Sequence, residues 1–180
     1  MKTKRINPEL KRILIPFFVS LLLLILPFAS GHSMPVGKKV NLSGTWILNE
    51  QKSDLGEYGR MMASEKIIIL QKGKNFKMDR YSTAPTGEPY NYTENYTLDG
   101  EECINKLENI WTKKSTVVWT DKKSSLTVTS DLNLSFEGNE MNIKSVEIMS
   151  LQDGGKSMVI KSTSSTEYGD MVITIVYDLQ

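Results

Sequence analysis

Apolar and polar side chains alternate with a period of two residues along most of the chain from Leu42 onward. The clearest run is 125–136, where every odd-numbered position is polar and every even-numbered position except Ser130 is apolar. A strand with one buried and one wet face has this pattern, and such strands belong to antiparallel sheets. The run therefore predicts a half-buried β-strand and excludes an amphipathic helix, whose apolar period is 3.6.

The same period predicts eight further strands, joined in consecutive hairpin order by short turns. They are residues 42–48, 65–71, 75–82, 90–98, 110–120, 141–151, 156–164 and 171–179. Asp99-Gly100 is a strong hairpin signal, because both residues tolerate the dihedral angles that tight turns need. Within 141–151 the apolar phase shifts between Ile143 and Val146, which predicts a β-bulge. Only residues 49–63 offer room for a short helix or an irregular loop.

This strand order predicts an all-β fold, a single antiparallel up-and-down barrel of about 8–10 strands. Closing the sheet on itself removes its exposed edges, which otherwise invite aggregation. A two-sheet sandwich is the alternative, although it usually needs longer connections than the short turns found here.

The first residues have the composition of a targeting segment. A basic start is followed by an apolar stretch from Ile13 to Phe28 and by the small residues Ala29-Ser30-Gly31. We predict a signal peptide over 1–31, a flexible lead over 32–40 and one domain over 41–180. The protein is then exported, periplasmic or extracellular, and has no membrane span after cleavage. An uncleaved anchor is the alternative, but the apolar stretch is short for the roughly 20 residues that a span needs. No cysteine near the cleavage point offers a lipid attachment site.

Charge and rare residues exclude several function classes. Without residues 1–31 the chain is slightly acidic, which argues against a nucleic-acid partner. His32 is the only histidine and Cys103 the only cysteine, so we predict no catalytic triad, no metal site and no cofactor. Cys103 follows Glu101 and Glu102, whose negative charges disfavour a reactive thiolate. The sequence predicts a protein that is not an enzyme.

The first strand carries the motif Gly44-Thr45-Trp46. At the head of a ladder of antiparallel strands, this motif resembles the Gly-x-Trp start of lipocalins and related calycin barrels. Segments 41–54 and 99–103 are similar, more specifically, to exported bacterial lipocalin-like proteins of unknown function. The resemblance implies that Trp46 lies at the closed end of a barrel.

Two carboxylates remain as candidates for chemistry. Glu94 shares a strand face with Tyr90, Tyr92, Tyr96 and Leu98. If this face points inward, burial among aromatic rings is expected to raise the pKa of Glu94. If it points outward, the tyrosines cover a solvated sheet. Glu147, near the predicted bulge, is a weaker candidate, and a glycosidase would need two such groups.

Our leading hypothesis is a non-catalytic barrel that binds a small hydrophobic or amphipathic ligand, with residues 49–63 at its mouth. The alternative is a structural or interaction module of the cell envelope with a filled core. The sequence does not decide between a filled and an empty interior, since interior volume depends on strand tilt and register. The candidate ligand-binding residues are Trp46, Phe76, Met78, Tyr92, Glu94, Tyr96 and Trp119.

Overall fold

The computed structural model describes residues 39–57, 59–84, 86–107, 111–120, 124–136, 139–166 and 169–180. The predicted signal peptide, most of the predicted lead and His32 lie outside these residues. The described part contains ten strands: β1 (Gly44–Leu48), β2 (Lys66–Lys72), β3 (Asn75–Thr83), β4 (Pro89–Thr97), β5 (Cys103–Leu107), β6 (Trp111–Trp119), β7 (Ser125–Phe136), β8 (Asn139–Gln152), β9 (Ser157–Thr166) and β10 (Gly169–Leu179).

All ten strands form one antiparallel sheet in the order β4-β3-β2-β1-β10-β9-β8-β7-β6-β5. The first and last strands pair with each other, with Trp46 opposite Leu179. The edges of the sheet are therefore β4 and β5, and their side-chain contacts nearly close it into a barrel. The predicted all-β up-and-down barrel is confirmed, and the two-sheet sandwich is wrong because every strand belongs to the same sheet.

The two edges of the sheet, β4 and β5, meet through side chains instead of a backbone ladder. Asn105 supplies both halves of a substitute backbone pair: its Oδ1 accepts from the amide N–H of Asn95 at 2.7 Å, and its Nδ2 donates to the carbonyl of Asn95 at 3.1 Å. The amide N–H of Thr97 lies 3.2 Å from the Sγ of Cys103. These contacts satisfy backbone groups that would otherwise remain unpaired along the seam.

Strand β5 was not predicted, and β8 differs from its prediction. The mixed residues of Cys103–Leu107 show little alternation, because Ile104 lies on the outer face while Asn105 is buried. The predicted bulge in 141–151 is wrong, since β8 pairs with β7 and β9 in unbroken register. The apparent phase shift arises because Val146 and Ile148 lie on the outer face, which leaves Glu147 pointing inward.

The connection from β1 to β2 contains a 3-10 turn, Glu50–Lys52, and one short helix, α1 (Gly59–Met62). Of the two possibilities left open for 49–63, a short helix or an irregular loop, the structure shows a short helix at its end. An isolated bridge between Asp54 and Thr174 ties this connection to β10. Among the described residues, no helix has the length and apolar character that crossing a membrane would require.

Helix α1 rests on the barrel through a glycine. Gly59 is buried, and a Cβ at this position would lie 2.9 Å from Cγ2 of Ile173 and 3.3 Å from Cβ of Leu55. Only a residue without a side chain lets the helix approach β10 this closely.

We expect Gly59→Ala to lower the free energy of unfolding by about 1–3 kcal/mol, because overpacking forces backbone shifts. Urea unfolding measures the change. In an Ile173→Ala background, which removes the clashing methyl group, the same substitution is expected to cost clearly less. Equal costs in the two backgrounds would contradict the contact.

The barrel has two different ends. Four hairpins, β2–β3, β4–β5, β6–β7 and β8–β9, define the closed end, and the β1–β2 connection with α1 defines the helix end. Inward-facing side chains near the closed end are almost entirely buried and form the core. They include Leu42, Trp46, Ile69, Phe76, Met78, Val117, Leu126, Met149, Met158 and Tyr177. The indole N–H of Trp46 donates to the carbonyl of Leu42 at 2.9 Å.

Candidate functional site

Four charged side chains from four strands meet in the middle of the barrel. Arg80 (β3), Glu94 (β4), Lys113 (β6) and Glu147 (β8) form what we call the ion cluster. Glu94 is its centre: Nε of Arg80 lies 2.7 Å from Oε2, and Nζ of Lys113 lies 2.7 Å from Oε1. Glu147 is held more loosely, at 3.4 Å from Nη2 of Arg80 and 4.0 Å from Nζ of Lys113.

Strand alternation explains why these four residues face inward. Arg80 continues the inward face of Phe76 and Met78, and Lys113 continues the face of Ser115 and Val117. The neighbouring inward positions hold uncharged side chains, so each charged side chain interrupts an uncharged inner face. The sequence signal was therefore available: a charged residue in phase with the buried positions of its strand.

The cluster keeps its charges in spite of burial. Burial by itself would raise the pKa of Glu94, but Arg80 and Lys113 outweigh it and lower that pKa to about 2. Burial by itself would lower the pKa of Lys113 and of Arg80, but Glu94 outweighs it and raises both. Our expectation of a raised Glu94 pKa is wrong, because it left out Arg80 and Lys113, which strand pairing and barrel closure bring within 2.7 Å of Glu94. With this pKa, Glu94 is ionised at neutral pH and does not serve as a general acid.

Toward the helix end, the interior is only partly filled. Its inward-facing side chains are half-buried, in contrast to the core: Ser82, Tyr90, Tyr92, Leu132, Leu134, Met141, Ile143, Ser145 and Met171. We call the space that they line the compartment. The side chains of Lys113 and Glu147 retain 11% and 13% exposure. Space large enough for water therefore reaches the ion cluster, which forms the floor of the compartment.

One wall of the compartment is aromatic. The rings of Tyr90 and Tyr92 lie 5.5 Å apart, and Trp111 meets Tyr92 edge-on at 5.4 Å. The indole N–H of Trp111 donates to the hydroxyl of Tyr90 at 2.9 Å. Each ring can offer a large apolar contact area and a polar edge to a bound molecule.

A row of serines lies on neighbouring strands. Ser115, Ser130, Ser145 and Ser164 are opposite one another in the register of β6 to β9. The hydroxyls of Ser115 and Ser130 are 2.8 Å apart. Small hydroxylated side chains at these inward positions leave interior volume that larger apolar residues would fill.

A cavity of about 430 Å³ lies at the rim of the helix end. It is lined by Met62, Ile143, Ser164, Thr166, Gly169, Asp170 and Met171. Its size is within the range of pockets for small molecules. Because Ile143 and Met171 also line the compartment, this cavity adjoins the compartment at its rim.

Three buried side-chain polar atoms lack hydrogen-bond partners in the described part of the chain. Among the described residues, the hydroxyls of Tyr96 and Tyr177 and the indole N–H of Trp119 are buried without a hydrogen bond. Burial raises the pKa of both tyrosines, so their hydroxyls stay protonated. Arg80 and Glu147 act on the pKa of Tyr177 in opposite directions, the first lowering it and the second raising it.

The predicted site residues fall in different parts of the barrel. Trp46, Phe76 and Met78 are fully buried in the core, and Trp46 lies toward the closed end as the resemblance implies. Tyr96 is buried directly below the cluster, while Trp119 is half-buried near the closed end, where Nζ of Lys39 lies 5.5 Å from its ring centroid.

Only two of the predicted residues belong to the cluster or the compartment: Glu94 in the cluster and Tyr92 in the compartment wall. Sequence analysis overlooked Arg80, Lys113 and the serine row. The described residues include no group of three His, Cys, Asp or Glu side chains arranged to hold a metal ion.

Comparison with known proteins identifies the fold. No protein-family model matches the chain, and no curated protein matches its sequence. Among solved structures, the zebrafish ileal bile acid-binding protein, crystallised with cholic acid, is similar with a TM-score of 0.52 and 17% sequence identity. The match covers 77% of this chain and 98% of the zebrafish chain. The likeness shows the fold: this chain has a lipocalin-like β-barrel fold of the calycin type.

Proposed function

We propose that the barrel binds one small amphipathic molecule in the compartment and does not transform it. The observation that carries this proposal is the half-filled compartment whose floor is a charged cluster in contact with accessible space. The aromatic and aliphatic wall suits the apolar part of a ligand, at about 0.8 kcal/mol for each buried CH₂ group. The zebrafish protein, crystallised with cholic acid, supports this use of a similar barrel.

The ion cluster itself favours a binding role over a purely structural one. Replacing a buried ion network by apolar residues of similar volume is often neutral or stabilising, so a network of this kind is weak as a device for stability. Strongly perturbed pKa values inside a cleft are also typical of functional sites. Export, predicted from residues 1–31, is part of the same proposal and places binding outside the cytoplasm.

A filled-core module of the cell envelope is the second candidate. The tightly packed closed half favours it, because Trp46, Phe76 and Met78 leave no accessible surface there. This alternative predicts that the half-buried residues of the helix end hold no ligand.

Filling the compartment tests the proposal. Ser145 is half-buried on the inner face of β8, and the adjacent Lys144 is exposed on the outer face. We expect Ser145→Trp to weaken binding of the neutral fluorophore Nile red at least tenfold, because the indole occupies the ligand space. Fluorescence titration measures the affinity, and circular dichroism verifies folding.

The matched control is Lys144→Trp, which adds the same indole on the opposite face and should bind like the unmodified protein. If the unmodified protein does not bind Nile red, or if the two tryptophan variants bind it equally well, the compartment is not a binding site and the filled-core module is favoured.

A further inference from the structure

We propose that the compartment selects an amphipathic molecule whose polar group is an uncharged hydroxyl, such as a long-chain alcohol or a hydroxylated sterol, over a carboxylate or an amine of the same size. This inference rests on the proposed function and specifies the ligand class of the same site. Three features of the ion cluster and its surroundings support it.

The first feature is charge balance. Two cations, Arg80 and Lys113, face two carboxylates, Glu94 and Glu147, in a buried site. A ligand that brings either charge leaves one charge uncompensated in a medium of low dielectric constant, which is costly. An uncharged polar group leaves the balance unchanged.

The second feature is the use of the cationic donors. Nε of Arg80 is 2.7 Å from Glu94, its Nη2 is 3.4 Å from Glu147, and Nζ of Lys113 is 2.7 Å from Glu94. A ligand carboxylate would compete with two carboxylates that the barrel already holds against these cations. Since the internal partner pays no entropy of association, the ligand is at a disadvantage.

The third feature is a supply of neutral hydrogen-bonding groups in the walls of the compartment. Ser145 and Ser164, in register on β8 and β9, present hydroxyls on the inner face. The hydroxyl of Tyr90, which accepts from the indole N–H of Trp111, lies in the aromatic wall. A ligand hydroxyl both donates and accepts, so it matches groups that do the same.

Three ligands with the same ten-carbon chain test the selection: decan-1-ol, decanoic acid and decylamine. Each competes with Nile red at pH 7.4 on the full domain. We expect the alcohol to displace Nile red at a concentration at least tenfold lower than either charged ligand. Stronger displacement by the acid or the amine, or equal behaviour of all three, overturns the inference. If Nile red does not bind at all, it is the proposed function that fails.

Two variants test whether cluster charge causes the selection. Glu147→Gln gives the cluster one net positive charge. In this variant we expect the affinity for decanoic acid, relative to that for decan-1-ol, to rise at least tenfold. Lys113→Met gives the cluster one net negative charge, and we expect the affinity for decylamine, relative to that for decan-1-ol, to rise by a similar factor. The controls are Glu140→Gln and Lys114→Met, on exposed positions of the same two strands.

Circular dichroism shows whether each variant folds. If one of the two does not fold, the other still tests the inference. Unchanged ligand ratios in a folded Glu147→Gln or Lys113→Met variant overturn the inference. The inference is also overturned if the ligand affinity ratios shift equally in the exposed controls, because surface charge would then explain the effect.

Discussion

At pH 7, replacing Glu94 with Gln is expected to lower the free energy of unfolding by about 3–5 kcal/mol, the usual cost of breaking a buried ion network from one side. Glu94 is 1% exposed and is the closest carboxylate to both cations of the cluster. Gln keeps the shape of the side chain but not its charge, so Arg80 and Lys113 retain only Glu147 as a charged partner. Urea unfolding monitored by circular dichroism measures the difference.

The same pair of proteins has a defined pH dependence. The pKa of Glu94 is about 2 in the folded barrel and has its ordinary value of 4.5 in the unfolded chain. A lowered pKa contributes stability that is fully present above pH 4.5 and is lost as the pH falls through 2. The stability gap between the unmodified protein and Glu94→Gln should therefore narrow from pH 4.5 downward and close near pH 2.

Glu140→Gln is the control for this experiment, because Glu140 is an exposed carboxylate on β8. Its effect on stability should stay within about 0.5 kcal/mol, as is usual for surface substitutions. A gap for Glu94→Gln that does not depend on pH would show that the charge of Glu94 does not stabilise the fold.

Trp46→Ala is expected to destabilise the barrel by about 3–5 kcal/mol, the range for truncating a buried aromatic residue. Trp46 is 1% exposed and lies on β1, between β2 and β10. The truncation would leave a cavity at the junction of the first and last strands. Urea unfolding followed by far-ultraviolet circular dichroism measures the loss without relying on tryptophan fluorescence.

Trp46→Phe separates packing from hydrogen bonding. Phe fills most of the space but cannot donate to the carbonyl of Leu42, which accepts from the Trp46 indole at 2.9 Å. We expect this variant to lose about 1–2 kcal/mol, the cost of one unsatisfied buried acceptor together with a small void. If Trp46→Ala were no worse than Trp46→Phe, packing at the closed end would not be the main contribution of this residue.

The interior charges show how far sequence reasoning reaches. Glu94 was recognised as a candidate because it shares a strand face with tyrosines, and the structure places that face inward. The environment of Glu94 was not predictable from β4. Its two cations lie on β3 and β6, and only strand pairing and barrel closure bring Lys113 within 2.7 Å of a residue on a strand with which it does not form a ladder.

The wrongly predicted bulge around Glu147 has a different cause. An outward Val146 and Ile148 around an inward glutamate look like a change of phase when buried positions are assumed to be apolar. The unbroken register of β8 with both neighbours shows that the alternation never changes. When the interior of a barrel is polar, an inward-facing residue need not be hydrophobic. Hydrophobic periodicity then no longer identifies the buried positions of a strand.

The alternation of side chains, the glycine-containing turns and the order of the segments determined by themselves that this chain forms an antiparallel barrel beginning at Gly44-Thr45-Trp46. These are local properties, because a strand face and a hairpin each depend on residues close together in the chain. Tertiary structure alone decided that the closed half is packed, that the helix-end half is partly open and that four charges separate them. Those features depend on register across ten strands, and no single segment contains that information.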